Sequence, residues 1–455
     1  MFQRVFDEGL AQASYLVGCD RTREAVIIDP RRDVDIYVSL ARQYGLTIVA
    51  AIETHIHADF VSGARELAAT GARVLAGPGS NLRFDFHEVR HNESLAVGDV
   101  TLEFLHTPGH TPEHVCVLAR LPDGRDRVFT GDTLFAGAVG RPDLLGPAQM
   151  RGLAGQLYDS LTSTLMTLDD SVEVHPGHGA GSLCGAHIGS DPYSTIGRER
   201  TTNPLLQQRS RDAFVAAVLA DLPETPPYFS RMKRLNRAGP VLLGLAQEWR
   251  GVGPVEAGGA QAAMEDGAIL IDMRGSDSFC AGHAVGALNI AFGPKVGYWA
   301  GWVIPAGARI VLLASDSAEA SESSRQLIRV GLDGVMGYIE GGAAAWTAAA
   351  LPQSRITTLS AGELDKRIRS RERTMAIVDV RTRTEWEADH IEASVNIPVG
   401  ELVNRIADVR REGTVATVCE SGYRSALAAS ILARAGVDSV AYVAGGMMEF
   451  RKLNP

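Results

Sequence analysis

The chain has 455 residues, 45% hydrophobic and 22% charged, with a formal net charge of −10; this length suggests about three domains, and the acidic balance argues against nucleic acid or an anionic membrane as a partner. Five widely spaced cysteines do not make a disulfide framework, so a cytoplasmic location is the default expectation. Met1 to Cys19 is broken by Arg4, Asp7 and Glu8 and lacks the apolar stretch of a secretory signal, and no run approaches the roughly 20 apolar residues of a membrane span.

Residues 1 to about 185 alternate short β-like runs (Ala25 to Ile28, Thr47 to Ile52, Arg73 to Ala76, Val115 to Ala119, Val128 to Thr130) with helical and Gly/Pro-rich segments, which suits a layered α/β sandwich. The second run leads into Thr54-His55-Ile56-His57-Ala58-Asp59-Phe60. Two histidines two apart at a strand end share one side, and with a carboxylate two residues on they are placed to hold a divalent transition metal. Further candidate ligands follow: His110 in Thr107-Pro108-Gly109-His110-Thr111, Asp132 in Phe129-Thr130-Gly131-Asp132-Thr133, and His178 in His175-Pro176-Gly177-His178-Gly179. All fall in loops after strand-like runs, where function sits on a rigid frame. His87, His91, His106, His114 and His187 have no comparable context and read as surface or satisfied core.

That ordered series resembles the metallo-β-lactamase fold, over about the first 240 residues. The resemblance implies an αββα sandwich. In that superfamily the first motif usually reads HxHxDH, the last histidine binding a second metal, and here Phe60 takes its place. A phenyl ring donates no lone pair, so a mononuclear centre is expected. The persulfide dioxygenases are similar in the THxHAD, TPGHT and TGDxL segments and in Gly140-Arg141-Pro142-Asp143. This second resemblance implies one non-haem Fe(II), with Zn as the alternative, on His55, His110 and Asp132. Two histidines and a carboxylate form the facial set that leaves positions for substrate and O2. It puts His57 in or beside that shell and Asp59 behind it as a hydrogen-bonding support, with His178 a support or a further ligand. Arg141 suits bidentate recognition of a carboxylate on a small-molecule persulfide, or a structural ion pair with Asp143. Cys184, just after His178, either reaches the active cavity and substrate or packs in the core; Cys19 and Cys116 read as core.

From Arg198 to Gly239 a helical stretch (Leu205 to Ala220) is followed by the breaker Pro223-Glu224-Thr225-Pro226-Pro227 and then by Arg231, Lys233, Arg234 and Arg237. These charges read as a solvated helical face. The stretch completes a first domain, 1–240, and leads into a connector reaching about Gly259.

Beyond it the sequence repeats. Ile271-Asp272-Met273-Arg274 returns as Val378-Asp379-Val380-Arg381, His283 as His390, and Asn289-Ile290 as Asn396-Ile397, each offset by 107 positions. Such a period fits two tandem domains, 255–352 and 356–455, joined at Pro352 to Arg355. Both copies resemble rhodanese domains. The second has Cys419-Glu420-Ser421-Gly422-Tyr423-Arg424-Ser425 between an apolar strand, Thr414 to Val418, and a helix beginning near Ser425. A loop of that kind aims backbone N–H groups and a helix N-terminus at sulfur, favouring a thiolate and its persulfide anion, and Arg424 adds positive charge. The first copy has Ala314 or Ser315 in that place, with Asp316 and Glu319 nearby, while Cys280 aligns with Glu387 or Ala388 in a different loop. It reads as an inactive spacer.

Together the resemblances imply an enzyme of sulfide detoxification that takes small-molecule persulfides and O2 to sulfite, and that passes sulfur through Cys419 to form thiosulfate. Two other readings stay open: a Zn hydrolase of thioesters such as hydroxyacylglutathione, and a non-catalytic sulfur carrier or sensor. The carrier of the persulfide and the existence of a homo-oligomer are left open by the sequence.

Overall fold

The computed structural model describes every residue except Asp123, Glu248, Arg250, 371–374, Arg411 and 454–455. Glu248 and Arg250, part of the predicted connector, therefore lie outside the described residues. The chain divides into two compact units, Met1–Trp249 with Ile328–Gly331, and Arg250–Leu327 with Leu332–Pro455.

In the first unit one six-stranded sheet runs in chain order through Phe2–Asp7, Gln12–Cys19, Glu24–Ile28, Thr47–Glu53, Arg73–Ala76 and His87–Glu88. The other six-stranded sheet is ordered Ser194–Thr195, Glu173–Pro176, Arg127–Gly131, Val115–Arg120, Val100–His106, Ser94–Val97. Their inner faces meet in one core, to which Val26, Ile28 and Ile52 come from the first sheet and Leu102, Phe104 and Val117 from the second. The strand period of two sends the alternate residues outward. Cys116 and Leu118 pack with Leu157 and Leu161 of the helix Pro147–Ser163, and Ala25, Ile27 and Ala51 pack with Tyr37 and Ala41 of the helix Asp35–Gln43. This is an αββα sandwich, and it brings the loops after Glu53, His106, Gly131 and Pro176 together.

One local expectation shifts and one strand is new. The helix read over Leu205 to Ala220 begins only at Arg211, because the Ser210 hydroxyl accepts the Ala213 N–H at 3.2 Å and caps it there. The strand Gln12–Cys19 carries no readable alternation because all eight of its residues are buried.

The second unit holds two five-stranded parallel sheets of the same topology. One is ordered Pro254–Val255, Val335–Ile339, Ile310–Leu313, Ile269–Asp272, Leu288–Asn289, and the other Thr357–Leu359, Val440–Val443, Thr414–Val418, Met375–Asp379, Ser394–Asn396. The repeated residues prove to be scaffold. Arg274 and Arg381 each grip the aspartate two residues back, and the Asn289 and Asn396 side chains each donate to two carbonyls of that same turn. His283 stacks on Phe279 as His390 stacks on Trp386. Among the described residues no helix is long and apolar enough to cross a membrane.

Candidate functional site

The strand Thr47–Glu53 ends where Asp29, held at φ +50°, accepts both the Thr54 N–H (2.7 Å) and the Thr54 hydroxyl (2.8 Å). That hydroxyl, its proton spent on Asp29, accepts from His55 Nδ1 at 3.0 Å. His110 Nδ1 donates to the Arg141 carbonyl at 2.8 Å. Both rings are thereby fixed with the proton on Nδ1 and a lone pair on Nε2. Burial, reinforced at His55 by the neighbouring histidines, holds His55 well below the ordinary imidazole range and lowers His110 as well, so both stay neutral. Asp132 Oδ2 lies 3.7 Å from His55 Nε2 and 3.5 Å from His110 Nε2.

These three atoms share one property. Among the described residues, His55 Nε2, His110 Nε2 and Asp132 Oδ2 are buried and have no hydrogen-bond partner. Leaving one buried polar atom unpaired costs about 1–3 kcal/mol, and three this close together fit a shared ligand that would offset that cost. The three residues form a group able to hold a metal ion, their donor atoms all within 4.8 Å of one another.

The support behind the group is specific. His178 Nδ1 meets Asp132 Oδ1 at 2.7 Å and His178 Nε2 meets Asp59 Oδ2 at 2.8 Å. Burial alone would strip its proton, but the two carboxylates outweigh burial and hold His178 well above the ordinary range. Burial would likewise raise Asp132, yet the charge and hydrogen bond of His178 keep its carboxyl below the usual range. Both His178 nitrogens are thus committed to carboxylates. His57 also turns away, its Nε2 at 3.1 Å from Asp29 and 3.3 Å from Glu53, which lift it against burial to about 10. Its ring packs 4.3 Å from both His55 and the fully buried Phe60.

Two further residues stand behind the site. The Arg141 guanidinium meets Asp143 bidentately (2.7 Å twice), the Leu183 carbonyl (3.0 Å) and Thr225 (2.7 Å). The ion pair with Asp143, one of the two readings of the sequence, is formed, and the Arg141 carbonyl meets His110. His114 is a satisfied core histidine of a particular kind. Its Nε2 accepts the Asp132 N–H at 3.0 Å while its Nδ1 contacts Thr107 and Thr133, each at 3.0 Å. Cys184 is buried beside Asp59 and His178, their donor atoms all within 4.8 Å, and burial first, then Asp59, pushes its thiol up to about 12.

In the second unit the strand Thr414–Val418 delivers Cys419, whose Sγ accepts the Gly422 N–H at 3.1 Å and the Ser425 N–H at 3.3 Å. Gly422, at φ +104°, turns the chain, and the helix starts at Tyr423, two residues earlier than expected. Arg424 pairs bidentately with Glu385 at 2.6 and 2.7 Å. Beside the loop is a cavity of about 470 Å³, walled by Ser421, Gly422 and Tyr442 from the second copy and by Ser276 and Asp277 from the first. The Tyr442 hydroxyl donates to Asp277. The first copy is therefore more than a spacer.

Residues 7–178 match the Metallo-beta-lactamase superfamily model, and 256–349 and 360–453 each match the Rhodanese-like domain model. The mitochondrial persulfide dioxygenase ETHE1 of Bos taurus is 32% identical over 213 residues, 45% of this chain and 76% of that protein. The chain belongs to the metallo-beta-lactamase superfamily. Its superfamily domain has ETHE1 homologues and is followed by two rhodanese-like domains. A probable hydroxyacylglutathione hydrolase of Schizosaccharomyces pombe is 31% identical over 169 residues, 36% of this chain and 62% of that protein. The crystal structure of a metallo-beta-lactamase from Staphylococcus aureus superposes with a TM-score of 0.66 at 34% identity, covering 74% of this chain and 98% of that one.

Proposed function

We propose that the chain oxidises the sulfane sulfur of low-molecular-weight persulfides with O2 at one Fe(II) held by His55, His110 and Asp132, and that Cys419 transfers sulfur between persulfide and sulfite. The observation that carries this reading is the convergence of three unpartnered donors, two imidazole and one carboxylate, with Phe60 packed on the neighbouring His57. When bound, the ferrous ion supplies open positions for the sulfur and for O2 and exchanges electrons with them. The net change is RSSH plus O2 plus H2O to RSH plus sulfurous acid, which ionises to sulfite.

The chain's own residues prepare that chemistry. Thr54 and the Arg141 carbonyl fix the two histidine tautomers, His114 holds the Asp132 backbone, and Asp59 acts through His178 to aim Asp132. Phe60 gives no ligand to a second metal. At the rhodanese loop the Cys419 thiolate attacks the outer sulfur of RSSH, forming Cys419–S–S⁻ and releasing RSH. Sulfite then attacks the outer sulfur, forming thiosulfate and returning the thiolate. The N–H groups of Gly422 and Ser425 stabilise the sulfur anion in both forms.

A Zn thioester hydrolase is the second reading, favoured by the similarity to a probable hydroxyacylglutathione hydrolase. Anaerobic iron loading followed by an oxygen-electrode assay with several persulfides separates them. Wild type is expected to take up O2. Asp132→Ala is expected to abolish the uptake, and Cys419→Ser to retain it while losing thiosulfate formation. No O2 uptake by the iron-loaded chain, with thioester cleavage by the zinc form, would overturn the proposal.

A further inference from the structure

The helix Phe229–Ala238 docks on the first unit through a buried stripe of Phe229, Met232, Lys233 and Asn236, while Arg234 lies outside. The expectation of a fully solvated basic face is therefore corrected at Lys233. Asn236 sets the docking: its amide donates to the His57 carbonyl (2.9 Å) and the Phe60 carbonyl (2.8 Å) and accepts the Ser62 N–H (2.9 Å). One turn back, in the same stripe, a lysine stands where helix amphipathicity calls for an apolar residue. It is 9% exposed, and among the described residues its ammonium makes one long hydrogen bond, 3.4 Å to the Leu144 carbonyl.

No carboxylate among the described residues pairs directly with this ammonium. Burial lowers this ammonium from the ordinary lysine range, against the opposing pull of Glu113, Asp143 and Cys184, and its charge lowers His110 in turn. These residues come from the loops that frame the three unpartnered donors. A buried cation with spare donors and no direct counter-ion is costly unless an anion arrives. Persulfides are acidic enough to arrive as anions, and sulfite is an anion at neutral pH.

We propose that Lys233 is the anion anchor of this site, receiving the charged sulfur end of the persulfide and the sulfite that replaces it. The inference rests on the persulfide reading of the site and adds to it a residue that touches substrate. A lysine suits the task because its ammonium is a compact point charge with three donors that can follow the ligand as sulfur gains oxygens.

The test is equilibrium dialysis of radiolabelled sulfite against the full-length, anaerobically Fe(II)-loaded chain carrying Cys419→Ser, which removes the rhodanese nucleophile. Adding Lys233→Met is expected to weaken sulfite binding by about 10-fold or more, the loss of one charged hydrogen bond. Lys233→Arg is expected to restore most of it, with metal content and melting temperature unchanged. With wild type the KM for persulfide should rise in Lys233→Met more than kcat falls. Should Lys233→Met not fold, sulfite protection of Lys233 from carbamylation by cyanate, read by mass spectrometry on the unsubstituted lysine, gives the same answer. Undiminished sulfite binding in the metal-replete Met variant, or no protection, overturns the anchor. A chain that binds sulfite through Lys233 yet takes up no O2 defeats only the dioxygenase reading, and one that takes up O2 with sulfite binding indifferent to Lys233 defeats only the anchor.

Discussion

The two rhodanese-like copies share a sheet topology and a set of motifs and differ where a sulfur would be held. Register makes the comparison exact to the residue. Asp379 pairs with Val418 as Asp272 pairs with Leu313, so Ala314 stands opposite Cys419 and Ser315 does not. Four residues, 419–422, separate strand from helix in the second copy, and three, 314–316, in the first. In the second copy two backbone N–H groups point at sulfur. In the first, Asp316 accepts the Glu319 N–H at 2.8 Å and Ser315 donates to Glu319, so the loop satisfies itself with its own acidic side chains. The lesson is that D-x-R, the histidine and the asparagine of the repeat preserve a fold, whereas chemistry requires the loop. A copy without that loop can still wall its partner's cavity, as Asp277 does.

The comparison is broken or sharpened by four measurements. Cys419→Ser should reduce thiosulfate formation to background while O2 uptake persists; residual transfer would mean that another cysteine carries sulfur. Ala314→Cys should leave a Cys419→Ser chain inactive in transfer, because Asp316 and Glu319 occupy the donors a sulfur anion would need; recovered activity would show that loop geometry is not decisive. Gly446→Ala should destabilise the second copy by about 1–3 kcal/mol, since its Cβ would meet the Cys419 carbonyl at 2.1 Å. The equivalent Gly342 has comparable positive φ but leaves 3.1 Å to the Ala314 carbonyl, so Gly342→Ala should cost less by thermal melting.

The smallest effect is one of acid stability. Burial would raise Glu385, but Arg424 outweighs it and holds the carboxyl down to about 2. A depressed folded pKa contributes stability present above the unfolded value and lost as pH falls. The pair should therefore stabilise the second copy above the ordinary glutamate range and weaken as pH drops toward about 2. Ser278 holds the corresponding place in the first copy. Glu385→Gln should flatten the melting temperature's pH dependence across that window, and an unchanged slope would assign the acid transition elsewhere.

What the sequence disclosed and withheld follows the same division. Strands with alternation or clear ends, such as Thr47–Glu53 and Arg73–Ala76, were legible, as were the histidines and aspartate whose spacing puts them at strand ends. His114 was not, because its role is to hold a backbone N–H 18 positions away, and no local pattern marks such a contact. Lys233 and Asn236 were hidden among arginines on one helix; only the direction in which the helix docks separates them from Arg234. Arg141 was ambiguous in sequence because an ion pair and a substrate clamp use the same guanidinium; in three dimensions the ion pair with Asp143 is formed.

Anaerobic calorimetric titration of the metal-free chain with Fe(II) tests the central claim most directly. One high-affinity equivalent per chain, lost in His110→Ala and Asp132→Ala alike, is expected from three unpartnered donors with Phe60 in place of a further histidine ligand. Two equivalents, or a tightly bound zinc pair in their place, would contradict it.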